Sequence, residues 1–172
     1  MNPDLQTLLD KQALLDLNAA YCRAVDRKNY PLLRRLYHPD ATDDHGDLYS
    51  GSAAGFVDYL EQVLPGMNTH HFIGNALFVV EGDIAEGEVY AVRHHLLPPA
   101  QEQQEAQELI VGGRYLDRYI RHHQGHWQFH HRHSVRDWLQ QRPAPDASLT
   151  LATALRTEDI SYRLLPRLAR DY

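Results

Sequence analysis

Apolar residues at Leu14, Leu17, Tyr21 and Ala24 recur at intervals of three and four, the period of one helical face, and predict a first helix that Asp4 or Asp10 could cap. Pro31 suits the first turn of a second helix through LLRRLYH, which Pro39 stops, because proline fixes φ and disfavours helix in the residue before it. The two helices meet at Arg27 to Tyr30. After an extended DDHGDLYSG segment, Phe56, Val57, Leu60, Val63 and Leu64 form the apolar side of a third helix that ends near Pro65 and Gly66. Beyond it the period changes. THHFIGNALFVV, AEGEVYAVRHHLL, ELIVGGRYLDRYIRHH and HWQFHHRHSVRDW are rich in β-branched and aromatic residues and predict four long strands. EGD, PPAQEQQEAQ and QG separate them in hairpin fashion, so the sheet is expected to be antiparallel. Helices ahead of a curved antiparallel sheet predict an α+β domain over residues 1–138, with the helices closing one mouth of the sheet. Residues 139–172 read as an extension: a linker through QQRPAPDAS, then one short helix in LTLATALRTEDI.

A chain of 172 residues with 43% hydrophobic content suits one well-cored domain and is short for two. A net charge of −6 argues against a nucleic-acid partner, whose phosphates are bound by clustered Lys and Arg. The one cysteine, Cys22, lies within the helical pattern, which suggests a buried thiol in a reducing compartment. No apolar run approaches the roughly 20 residues that cross a bilayer, and MNPDLQTLLDK lacks the basic-then-apolar layout of a signal peptide. A soluble cytoplasmic protein without membrane contact is expected.

Candidate chemistry begins at Asp26, where a carboxylate stands beside Val25 and four residues after Cys22 while the apolar stripe still runs. Partly desolvated there, it is best tolerated by accepting a hydrogen bond from a donor such as imidazole; a solvated carboxylate or turn former is the alternative. His70 and His71 are neighbours in a strand, so they point to opposite faces and one is expected at the surface. A histidine on the concave face beneath Asp26 would form a carboxylate–imidazole pair, the Asp fixing the tautomer and stabilising the imidazolium; a histidine filling the core is the alternative. Without a bulge, Gln128, His130, Arg132 and Ser134 share one strand face, opposite Trp127, Phe129 and His131. Such a polar face lines either solvent or a wet cavity, where an arginine could hold an oxygen that becomes negative. Four of the twelve histidines' doublets lie on strands, where neighbours diverge, and H-E-x-x-H is missing, so no metal is expected.

Together YCRAVDRKNYPLLRRLYHPDA, THHFIGN, GGRYLDRY and GHWQFHHRHSVRDW resemble the SnoaL-like branch of the nuclear-transport-factor-2-like superfamily, over about residues 5 to 138. The resemblance implies a cone: a strongly curved antiparallel sheet around helices with an apolar pocket inside, as in ketosteroid isomerase and scytalone dehydratase. Its functional likeness is to hexachlorocyclohexane dehydrochlorinase and bile-acid 7α-dehydratase, which use an Asp–His dyad without metal or cofactor. Asp26 falls where those enzymes carry the dyad aspartate, His71 at the dyad histidine, and Arg132 at the pocket arginine. Tyr21 matches the tyrosine of the bile-acid enzyme where the dehydrochlorinase has lysine, which favours dehydration or isomerisation over dehydrochlorination. Five residues turn a helix by about 140°, so Tyr21 and Asp26 would meet only around a pocket's rim. The resemblance thus implies a lyase or isomerase acting on a mid-sized apolar ring compound, with Tyr49, Phe56 and Tyr115 as pocket walls, in a homodimer or homotrimer. The contrasting expectation is a non-catalytic binding or assembly module, built like the small subunits of ring-hydroxylating dioxygenases.

Overall fold

A computed structural model describes residues 3–99, 105–122, 125–144 and 159–172. Helix α1 (Pro3–Asp26) is followed by α2 (Tyr30–Leu36), β1 (Tyr37–Asp44), β2 (Ser50–Ser52) and α3 (Ala53–Val63). The long strands β3 (Asn68–Glu81), β4 (Ile84–Leu97), β5 (Gln107–Arg121) and β6 (Trp127–Pro143) come next, then α4 (Ile160–Leu164) and α5 (Leu168–Asp171). They form one six-stranded sheet in the order β2-β1-β6-β5-β4-β3, curved around the N-terminal helices, as the α+β cone requires. Among the described residues no helix is long and apolar enough to cross a membrane.

Local chemistry accounts for the helix starts. Asn29 caps α2 by accepting from the Leu32 N–H at 3.2 Å, and Ser52 caps α3 by accepting from the Gly55 N–H at 3.1 Å. Asp10 does not cap α1. It lies inside the helix and takes two hydrogen bonds from Arg121, at 2.7 and 2.8 Å, and one from the Trp127 indole at 3.2 Å.

The sheet departs from expectation in three places. Tyr37 and His38 are strand rather than helix: α2 ends at Leu36, ahead of the residue that Pro39 constrains, and Tyr37 turns into the core opposite Phe129. Strand β1 then pairs parallel with β6, in a sheet otherwise antiparallel. At the other end β6 runs on, with Leu139 paired to Val111 and Pro143 to Gln107, so the start of the expected linker is strand. The expected helix in LTLATALRTEDI lies almost wholly outside the described residues; α4 begins at its last residue, Ile160.

A bulge decides what β6 points inward. Tyr119 pairs with Phe129 but Arg118 pairs with His131, which leaves His130 unmatched and shifts the alternation by one. Phe129 and Arg132 therefore both face the core, each with no exposed surface. The Arg132 guanidinium grips Asp117 through Nε at 2.8 Å and Nη2 at 2.7 Å and donates to Asn18 Oδ1 at 2.6 Å. The rings of Tyr21, Tyr115 and Phe129 surround it at 4.0–4.2 Å. Removing one member of a buried ion pair strands the other charge in a low dielectric. Arg132→Ala is expected to lower unfolding free energy by about 3–5 kcal/mol in urea denaturation, and Arg132→Met combined with Asp117→Leu to recover most of it.

Candidate active site

The site starts where α1 stops. Asp26 is its last residue, and Lys28 turns the chain with a left-handed φ of 53°. Bonds from Lys28 N to Val25 O (3.1 Å) and Asn29 N to Ala24 O (2.8 Å) close a helix stop in which glycine is the usual residue. A lysine is held there by its own side chain, which is buried and donates from Nζ to Thr69 Oγ1 at 3.1 Å. The Thr69 hydroxyl in turn donates to Asp26 Oδ1 at 3.0 Å. Two residues further along β3, His71 donates its backbone N–H to Oδ2 at 3.0 Å and sets Nδ1 2.7 Å from Oδ1. The carboxylate is thus oriented by three hydrogen bonds from one strand.

Burial pushes the Asp26 carboxyl up, but the hydrogen bonds and charge of His71, with Thr69, outweigh it and hold the group below its ordinary 3.8. An Asp26 that stays ionised fixes the proton of a neutral His71 on Nδ1 and leaves Nε2 as the free base. His70 is exposed, as the alternation requires.

His71 opens onto a cavity of about 500 Å³ beneath α3. Asp26 does not line it. The imidazole spans from the carboxylate to the cavity, which removes the angular conflict between Asp26 and Tyr21, whose ring forms part of the wall. Burial, then the neighbouring Tyr115, keeps the Tyr21 hydroxyl well above its ordinary pKa against the pull of Arg132, so it remains a neutral proton donor. Phe56 and Tyr115 line the cavity.

Two expected residues lie elsewhere. Tyr49 is outside the lining: its hydroxyl donates to Ser52 O at 2.8 Å and its ring packs on Phe56 and Tyr59. Arg132 is sealed behind Tyr21 and Tyr115 by the bulge, and does not border the cavity. Arg136 on β6 and Arg93 on β4 do border it, and Arg93 stands directly cross-strand from His71. It is buried, donates to Ser134 Oγ and to the Val135 carbonyl, leaves Nε unbonded, and has no carboxylate partner among the described residues.

His95 also faces the cavity, its ring edge-on to His71 at 5.6 Å. Burial, then the His71 and Arg93 charges, pushes it down to about 3, so it is a neutral imidazole. His45, after β1, lines the cavity too. Among the described residues no group of three or more His, Cys, Asp or Glu side chains is placed to hold a metal ion.

The family model of the SnoaL-like domain matches residues 6–133. The chain belongs to this family. Among curated protein sequences none matches it. Solved structures share its cone. Kfla4162 from Kribbella flavida superposes with a TM-score of 0.69 at 19% identity, over 85% of this chain and 99% of its own. A provisionally named scytalone dehydratase from Novosphingobium aromaticivorans gives 0.69 at 17%, over 80% and 91%. The LinA-type3 hexachlorocyclohexane dehydrochlorinase of Novosphingobium barchaimii gives 0.68 at 18%, over 81% and 94%. At these identities the likeness is one of fold, and the chemistry must come from the side chains.

His95 yields a pH signature. Its folded pKa lies below the unfolded value of 6.5, so between pH 6.5 and about 3 the unfolded chain binds a proton that the folded one refuses. Stability contributed by the neutral ring is full above that window and falls as the pH drops through it. The urea midpoint of His95→Gln is expected to fall less steeply with acidification than that of the wild type.

Proposed function

We propose that this SnoaL-like protein is a cofactor-free lyase or isomerase of the dehydratase kind, acting on a mid-sized, largely apolar cyclic carbonyl compound. The observation that carries the reading is the Asp26–His71 pair, with Nδ1 committed to the carboxylate and the ring bordering the cavity. Nε2 of His71 removes a proton from the carbon beside the carbonyl, and Asp26 stabilises the imidazolium that results. Negative charge then develops on the carbonyl oxygen. Tyr21 offers it a hydroxyl proton, and Arg93, cross-strand from the base and without a carboxylate of its own, supplies positive charge in the place expected of Arg132. Arg132 acts through Tyr21, by holding its ring at 4.1 Å.

Apolar walls such as Phe56, Leu60 and Val111 favour a ring compound, since such cavities bind by burial with a few polar groups for orientation. The dehydratase and dehydrochlorinase named above carry the same fold, which supports proton abstraction followed by loss of a leaving group. The reading includes a homodimer or homotrimer. Phe72, Leu77 and Val79 of β3 and Tyr90 and Val92 of β4 are exposed, and a second copy would cover them.

The test is hydrogen exchange. Incubated with cyclic ketones in deuterated buffer, the wild type is expected to wash deuterium into the acidic carbon, and His71→Ala to do so roughly 10²–10⁴-fold more slowly. Equal exchange by wild type and His71→Ala would defeat the assignment of the base.

A further inference from the structure

A second carboxylate–imidazole pair borders the same cavity. His45 Nδ1 lies 2.5 Å from Asp43 Oδ1, and the other oxygen of Asp43 accepts from the Tyr37 hydroxyl at 2.5 Å. Asp43 is 1% exposed, so its charge is satisfied by these two partners rather than by water. The His45 ring stacks on Phe56 of α3, centroids 4.4 Å apart and nearly parallel, and is a wall of the cavity. Its backbone is held as well: the His45 N–H donates to Tyr49 O at 2.7 Å and its carbonyl accepts from Leu48 at 3.3 Å, closing the turn between β1 and β2. With Nδ1 turned to Asp43, Nε2 is the ring nitrogen left for a ligand.

The sheet order places the two pairs on different flanks. Strand β1, which leads to His45, and β3, which carries His71, are separated by β6, β5 and β4, and the sheet curves so that both border one space. A loss of water needs two proton transfers, one from carbon to a base and one from an acid to the departing oxygen. One imidazole per flank is the arrangement that such a step calls for.

We propose that Asp43–His45 is a second proton-transfer pair, and that His45 is the acid that protonates a leaving hydroxyl; this rests on His71 being the base. The substrate class that follows is a cyclic β-hydroxy ketone. His71 Nε2 takes the proton from the carbon between the carbonyl and the carbinol, and the C–H electron pair becomes the new C=C bond. The C–O bond breaks, its electron pair leaves with oxygen, and the proton on His45 Nε2 converts that oxygen to water. His71 ends as imidazolium and His45 as neutral imidazole, still hydrogen-bonded to Asp43. Solvent returns a proton to His45 and takes one from His71, so no net proton is gained or lost.

The experiment compares three probes: a β-hydroxydecalone, its acetate and the parent decalone. Acetate departs without being protonated, so an acid matters for the hydroxy ketone alone. His45→Gln is expected to slow water loss roughly 10²–10⁴-fold and to slow acetate loss at least tenfold less. His71→Ala is expected to slow both, together with deuterium exchange into the decalone. His45→Phe, which keeps the stack on Phe56 without a proton to give, must repeat the pattern, and urea midpoints identify any variant that has lost its fold. Equal losses on hydroxy ketone and acetate, or none on the hydroxy ketone, would overturn the acid. A wild type that exchanges no deuterium and eliminates neither group would overturn the base, and the acid with it.

Discussion

A guanidinium with no water contact, clamped to Asp117 and enclosed by three aromatic rings, fixes how the helix lies in the cone. Arg132 is tolerated there only because Asp117 balances its charge and Asn18 of α1 takes a further hydrogen bond, so the helix cannot rotate without unpairing a buried cation. Two other polar ties hold the same helix: Asp10 to Arg121 and Trp127 near its start, Asp26 to His71 at its end. The ties recur every eight residues, and eight residues advance a helix by about 80° beyond two full turns. They therefore spiral around α1, from β5 and β6 to β3, which suits a sheet that wraps the helix rather than lying flat against it. The tie of Asp26 to His71 is the last turn of that spiral.

Strain gathers at the same end. A non-glycine residue in the left-handed region costs on the order of 1–3 kcal/mol, and Lys28 also loses hydration. Its ammonium is held through Thr69 to the carboxylate that orients His71, so the helix stop and the Asp26–His71 pair form one network. Behind it the C-terminal helices close the turn: Arg27 pairs with Asp159 at 2.9 Å, and Asn29 donates to the Tyr162 hydroxyl at 3.1 Å. The residues after the described gap thus cover the back of the segment that positions Asp26.

Much of this was legible from residue spacing and from family resemblance, and the limit has a physical form. Asp26 and His71 could be paired because each sits where its element is regular: the end of an apolar helical stripe and an alternating strand. Where a strand is irregular, alternation misleads. Counting back from the EGD hairpin would set His71 against His94; a bulge in β3 between Ile73 and Ala76 moves it to Arg93, so the arginine beside His71 stayed hidden. The bulge at His130 turned Arg132 from a presumed cavity group into a core one. Tyr37 and His45 were unreadable for another reason: β1 exists through its parallel pairing with β6, a partner some ninety residues away that no local pattern announces.

The bulges give β6 a changing parity. Odd positions, Trp127 and Phe129, face inward before His130; even ones, Arg132, Ser134 and Arg136, do so after it; a second register shift near Asp137 restores odd parity at Leu139. For the lineage this makes strand length a coarse control. Substitution alters one contact of the cavity at a time, whereas loss or gain of a single codon at a bulge exchanges a whole run of inner residues for outer ones and exposes a different set to whatever the cone encloses.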